Sequence, residues 1–484
     1  MWSDYFQPND FRAIVPQLEL TLFACGILLM DFLLERRHKY MNAITALIGV
    51  GFSAFEVIRL MGRDETIEAF NGMFVADSFF LSFSLVFLLA TAVVILMSVA
   101  YLELEGENEG EYYALILFAA VGMMFLAGGF DLITLFVGLE LMAISFYLLT
   151  GFLRRDRRSS EAALKYFLLG VFSTGVLAYG FSLLYGVSGS TNLERIGEAV
   201  RQRGLEDPVV FLALVAVAAG LFFKVAAVPF HQWAPDAYQG APTPITAYIS
   251  VGSKAASFAL LLRLFFVPLV SLREHWQVLL TGVALATMTL GNLAAINQSN
   301  VKRLLAYSSI GHVGYILLGL VAGNDTGRIG IAIYIFAYAA MTLGAFAVVT
   351  GLRGPNRVGD TLDDMRGLFF RNPAPAVLML VFLLSLTGIP PTVGFLGKYY
   401  IFLSLIETRH YYLAVFAALY VVVALYYYFR IVVAMFLEEQ REPARMTMAP
   451  GLVVALVLTL LLTLLPGIYP EPLIGLAKTT LVPF

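Results

Sequence analysis

The run GLFFKVAAVPFHQWAPDAYQG, residues 220–240, starts as an apolar helix, acquires Lys224, meets Pro229 five residues later, and then presents His231 and Asp236. Pro229 has no N–H for the carbonyl of Val225, and its ring crowds that carbonyl, so a helix kinked beside Lys224 is expected. In hydrocarbon such a carbonyl needs water or a polar side chain. The rest of the chain decides whether hydrocarbon is the solvent.

Sixty per cent of the 484 residues are hydrophobic and 13% are charged, against roughly 45–50% apolar in soluble domains. Fourteen apolar runs lie near 14–34, 41–61, 74–100, 112–129, 131–153, 161–187, 208–233, 243–267, 275–296, 302–322, 328–351, 374–405, 411–437 and 449–468. Crossing about 30 Å of hydrocarbon takes roughly 20 residues, so the pattern reads as an all-α polytopic membrane protein. The loops are short and leave no soluble domain to hold a nucleotide. The opening MWSDYFQPND lacks a cationic n-region, so the first run is expected to be a permanent span and not a cleaved signal peptide. Cys25 is the single cysteine, which excludes disulfides and thiolate-bound iron–sulfur clusters within the chain. No phosphate-cradling glycine loop occurs, and the five histidines lack metal-ligand spacing. No cofactor or metal is therefore expected in this chain. A net charge of −3 gives no reason to expect nucleic acid.

Short basic loops stay cytoplasmic. ERRHK after the first run, RRDRR after the fifth, VKR before the tenth and 353–371 after the eleventh all follow odd-numbered runs. With fourteen spans, both termini are then expected outside. Of seven lysines, Lys165, Lys224, Lys254 and Lys398 fall inside apolar runs. The arginines cluster in loops or at helix ends, where Arg59, Arg263 and Arg430 are expected to snorkel. A lysine removed from water can release its proton, whereas arginine stays charged. Placing the titratable cation inside the membrane points to protons as the cargo.

The break near Pro229 has a counterpart in SLTGIPPTVGFLGKYY, residues 385–400. There Pro390 and Pro391 leave the carbonyls of Leu386 and Thr387 without helical donors, and Lys398 follows about two turns on. The eighth run opens at Pro242 and Pro244 and carries Lys254 about 15 Å further in. Interrupted helices at matching places in two halves point to an ion pathway at a repeat interface. The expected organisation is a three-helix segment at 1–110, five-helix repeats at 111–268 and 269–437, and a C-terminal helix and tail at 438–484. Five spans per copy, an odd number, make the two copies inverted.

Glu140 lies about 13 Å into the fifth run, where a carboxylate is far cheaper with a lysine partner. Lys224 is the partner expected. Lys165 follows Glu161 by four residues and can equally close an i,i+4 pair at the membrane edge. His312 and His231 fit either a proton role or a hydrogen-bonded interior. Lys302 and Arg303 read as a topology anchor, and Asp236 as loop punctuation or a helix cap. Glu19, Asp31 and Glu56, also in apolar runs, are expected to meet neighbouring subunits or water.

Three segments, FKVAAVPFHQWAPDAYQGAPTP (223–244), VKRLLAYSSIGHVGY (301–315) and GIPPTVGFLGK (388–398), together resemble the antiporter-like, proton-translocating membrane subunits of respiratory NADH:quinone oxidoreductase. The similarity covers nearly the whole chain. It implies a proton-pumping subunit whose partners are the other membrane subunits of that complex, with electron transfer from NADH to quinone performed elsewhere. It also implies that Glu140 and Lys224 form a regulating acid–lysine pair, that Lys254 is a central relay, that Lys398 ends the second half-channel, and that Lys165 and His312 take part in the path. A subunit of a cation/proton antiporter or a hydrogenase-type membrane complex is the alternative, and a scaffold using buried charges as helix ties is a third reading.

Overall fold

A computed structural model describes residues 8–63, 65–107, 109–354, 359–439, 446 and 448–480. The first seven residues and part of the basic stretch 353–371 lie outside these. Among the described residues thirteen helices are long and apolar enough to cross a membrane. The run 374–405 is not one helix but two, Pro373–Thr387 and Val393–Glu407, of 15 residues each. Together they make the fourteenth crossing that was expected.

Helix starts are written in Asp and Asn. Asp77, Asp131, Asp156, Asn192, Asp207, Asn300 and Asn324 each accept backbone N–H groups in the first turn of the helix that follows, which satisfies donors a helix cannot pair internally. Thr243–Phe266 runs through the middle of the molecule and is buried along its length. Val301–Ala322, Asp325–Gly351, Ser78–Glu105 and Gly110–Gly128 are also mostly buried. Pro8–Asp31, Tyr40–Met61, Tyr411–Leu437 and Pro450–Ile468 are peripheral and turn apolar side chains such as Leu22, Phe55, Leu419 and Val454 outwards.

Two helix pairs pack closely through glycine. A Cβ on Gly122 would sit 2.6 Å from the backbone nitrogen of Met142, joining Gly110–Gly128 to Leu132–Thr150. A Cβ on Gly291 would sit 2.5 Å from the nitrogen of Gly311, joining Arg273–Ile296 to Val301–Ala322. In lipid, where apolar side chains gain little by leaving their solvent, such close backbone approach supplies much of the packing energy.

Three features depart from expectation. A small antiparallel hairpin, Ile67–Ala69 with Phe74–Ala76, links the second and third spans. Arg263 does not snorkel. It is 1% exposed, and its guanidinium pairs with both oxygens of Asp77 at 2.8 Å while Nε donates to Ala127 O at 3.0 Å. A planar fork meeting a carboxylate bidentately is the arrangement arginine favours when buried. Finally, the Lys224 helix stops instead of kinking. Pro208–Val225 ends with Ala226 in the left-handed region (φ 59°), and the chain re-enters helix only at Trp233–Gly240.

Candidate functional site

Lys224 is the penultimate residue of its helix and 5% exposed. No hydrogen bond or ion pair reaches its ammonium among the described residues. Glu140, on Leu132–Thr150, lies within Coulombic range of it. The expected pairing is thus electrostatic across a gap and not a direct contact, and Glu140 Oε1 is buried without a hydrogen-bond partner. The helix end is closed by other groups: the Trp233 indole donates to Phe223 O at 2.9 Å, and the Ala226 N–H donates to the same carbonyl at 3.0 Å.

The second break behaves differently. Thr387 is followed by Gly388 at φ 91°, and Lys398 Nζ donates to Leu386 O at 3.1 Å and Thr387 O at 2.7 Å. These are the two carbonyls that Pro390 and Pro391 leave without helical donors. The ammonium also lies 4.9 Å above the centre of the Tyr315 ring.

Between the breaks lies Lys254, 3% exposed, which follows a turn of π-helix over Ile249–Ser253. Its ammonium donates to Ser309 Oγ and sits 5.7 Å from the centre of the Tyr238 ring. The Tyr338 hydroxyl bridges Ser309 and Ser250, 2.7 Å from each. His312, one turn beyond Ser309, bonds Tyr334 OH through Nδ1 (2.7 Å) and Tyr428 OH through Nε2 (3.2 Å). Tyr334 stacks on Tyr315, beneath Lys398. Buried groups able to donate or accept a proton therefore run from Lys254 through His312 to Lys398. Among the described residues no hydrogen bond continues this row to Lys224.

Lys165 stands apart. It is half exposed and bonds Glu161 at 2.9 Å and Asp236 at 3.1 Å, so the i,i+4 pair is present together with a second partner. Asp236 caps no helix; it also accepts from Arg303 at 2.6 Å. Burial works against its charge, yet Arg303 and Lys165 outweigh that and hold its carboxyl below the usual range. Lys302 is buried and donates to Ala241 O at 2.5 Å. Asp31 meets Lys39 and Asn42, and Glu56 meets Arg59, all within the chain. His231 is partly buried, with Nδ1 unpartnered. Among the described residues no group of three or more His, Cys, Asp or Glu side chains is placed to hold a metal.

The hydroxyls of Ser250, Ser309, Tyr334, Tyr338 and Tyr428 were not foreseen. The sequence does carry their trace: Ser308, Ser309, His312 and Tyr315 recur at helical spacing on one face of Val301–Ala322, and Tyr334 and Tyr338 stand four apart. In a membrane helix a polar stripe that matches a buried face is a signal.

Residues 129–424 match the family model described as NADH:quinone oxidoreductase/Mrp antiporter, TM. The protein named NADH-quinone oxidoreductase subunit N 2 of Solibacter usitatus is 54% identical, over 99% of both chains. The chain belongs to the subunit N family of NADH-quinone oxidoreductase. Among solved structures, a chain of respiratory complex I from Thermus thermophilus has the same fold, with a TM-score of 0.80, 33% identity, and coverage of 96% of this chain and 99% of that one. A chain of the Mrp complex from Dietzia shares the fold at 22% identity, with a TM-score of 0.84 and 97% coverage of both. This chain, the complex I chain and the Mrp chain thus share one helical architecture.

Proposed function

We propose that this chain translocates protons as a membrane subunit of NADH:quinone oxidoreductase, with electron transfer carried out in other subunits of the complex. The observation that carries the reading is the burial of Lys224, Lys254 and Lys398, at 5%, 3% and 4% exposure, with no carboxylate in contact with any of them among the described residues. A purely structural charge in hydrocarbon needs a contacting counter-ion to offset its desolvation. A group that must change charge does not. In this reading Glu140 and Lys224 form the regulating pair, Lys254 is the relay, and His312 passes protons towards Lys398, the last group of the second half-channel. Lys165 supplies the first half from the cytoplasmic edge.

The repeat boundaries 111–268 and 269–437 belong to the same proposal. They are supported by correspondence of packing: Gly110–Gly128 on Leu132–Thr150 matches Arg273–Ile296 on Val301–Ala322, and each half carries one broken helix next to a lysine. The partners are neighbouring membrane subunits of the complex, facing the apolar outer helices. The membrane is a bacterial inner membrane, and the basic loops support a periplasmic position for both termini.

Lys224→Arg tests the core of the proposal. Arginine keeps the positive partner for Glu140 but stays protonated in any plausible site. NADH-driven acidification of inverted vesicles, normalised to assembled complex, is expected to fall to the level of Lys224→Ala. Near-normal pumping by the arginine variant beside an inactive alanine variant would return Lys224 to a structural ion pair.

A further inference from the structure

Lys254 is buried, and the short helix Trp233–Gly240 reaches from Tyr238, beneath its ammonium, to an exposed cluster of charges. A cavity of about 210 Å³ is lined by Arg158, Glu161, Ala162, Lys165, Asp236, Gln239 and Gly240. Glu161 and Lys165 are 60% and 47% exposed, so solvent reaches this vestibule. Its inner wall is the helix Trp233–Gly240, which turns Asp236 and Gln239 towards the vestibule and Tyr238 inwards. Tyr238 lies under the Lys254 ammonium, and its hydroxyl sits beside Ser250 and Ser309 without closing a well-aligned hydrogen bond to either. A buried phenol without a well-formed hydrogen bond is a group that another donor or acceptor can serve.

The fastenings of this short helix differ in strength. Its flanks are held by buried bonds: Trp233 to Phe223 O, Thr246 Oγ1 to Tyr238 O, and Lys302 to Ala241 O. Its vestibule face is held by Asp236, which bonds Lys165 on one neighbouring helix and Arg303 on another; Arg303 also donates to Gln239 at 3.2 Å. Arg303 starts the helix that carries Ser309 and His312. Pairs as exposed as these are weak and screened by salt, in contrast to the buried Arg263–Asp77 pair. They can open without unfolding anything.

We propose that Trp233–Gly240 is a gate between the cytoplasmic vestibule and Lys254, and that Asp236 is the positioning residue that latches it shut across Lys165 and Arg303. Release of Asp236 lets the short helix move, brings water to the Tyr238 hydroxyl, and opens Ser250, Ser309 and Lys254 to the cytoplasm. The proposal rests on the proton-translocation reading above, and its test does not use pumping.

The test measures access in the assembled complex. Cys25→Ser removes the native thiol, and Ser250→Cys, nearly isosteric, places a reporter behind the gate. Inverted vesicles, with the cytoplasmic face outwards, are treated with a membrane-impermeant maleimide in the absence of NADH. With Asp236 in place labelling is expected to be slow; Asp236→Asn is expected to speed it roughly tenfold, because both ion pairs are lost, and Asp236→Glu to restore most of the protection. An unchanged rate in Asp236→Asn, with the complex assembled, would overturn the latch. Should Ser250→Cys fail to assemble, Ser309→Cys reports from beside the same phenol under the same expectation. Because no proton movement is measured, the gate and the Lys224 relay can fail independently.

Discussion

The two helix breaks use one backbone device for opposite ends. In each, a helix stops at a residue followed by a left-handed one, Ala226 or Gly388, with a buried lysine close by. At the second break Lys398 comes from the far side of the gap and binds the two carbonyls that Pro390 and Pro391 leave open. At the first, Lys224 comes from the near side, an indole and a backbone N–H serve Phe223 O, and the ammonium bonds to nothing among the described residues. A lysine tied to two carbonyls is part of the architecture as well as of the proposed pathway. A lysine left untied can answer to Glu140 alone. The difference arises from whether the lysine precedes or follows its prolines.

Removing each ammonium separates the two cases most widely. Lys398→Met leaves Leu386 O and Thr387 O buried and unpaired, at about 1–3 kcal/mol for each. The expected outcome is a marked fall in the thermal stability of the purified complex, or in the amount of subunit retained in it, together with loss of pumping. Lys224→Met removes no hydrogen bond, so assembly and melting temperature should stay near wild type while pumping is lost. Equal thermal stability of the two variants would erase the distinction drawn between the breaks.

A smaller effect is expected from Gly388→Ala. The φ of 91° is one that residues with a Cβ avoid, costing about 1–2 kcal/mol, and the new Cβ would lie 2.7 Å from Lys398 Cδ. Lys398 would have to shift and weaken its carbonyl bonds. The double variant Gly388→Ala with Lys398→Met should therefore destabilise by less than the sum of the single ones, since the carbonyl bonds that the clash would weaken are already gone. Strict additivity, measured by thermal unfolding of the complex, would show that Gly388 and Lys398 do not act on one another.

These contrasts show what the sequence could and could not disclose. The spans were legible because hydrocarbon demands long apolar runs, and their starts because Asp and Asn are poor in helix interiors and good at caps. The identities of Lys224, Lys254 and Lys398 were legible because charge inside such runs is costly. Proline chemistry named the orphan carbonyls of Leu386 and Thr387, but not the donor that serves them, since Lys398 arrives from the next helix. The turn of π-helix before Lys254 has no signature in ISVGS that separates it from ordinary helix. The bonds among Ser309, Tyr338 and Ser250 join three helices, and Asp236 joins Lys165 and Arg303 across 71 and 67 residues. Contacts of that separation depend on how helices are arranged in space, which one strand of text does not encode. Arg263 was misread for the same reason, because its partner Asp77 lies on a distant segment.

The smallest effect is the most discriminating about the backbone. Ala226 adopts φ 59°, ψ 42°, a left-handed geometry that costs a residue with a Cβ about 1–2 kcal/mol. Glycine at this position would relieve that cost but would lose about 0.5–1 kcal/mol through the greater freedom of the unfolded chain. The balance for Ala226→Gly is a gain of about 1 kcal/mol or less, seen as an unchanged or slightly raised melting temperature. At the matching position of the other break, adding a methyl group is expected to destabilise. Opposite signs for Ala226→Gly and Gly388→Ala would mean that both breaks rest on the same left-handed residue and differ only in what surrounds it. Clear destabilisation by Ala226→Gly would mean instead that the Ala226 methyl, fully buried beside Lys224, contributes packing that outweighs its backbone cost, and that the first break is held by its side chains and not by the turn.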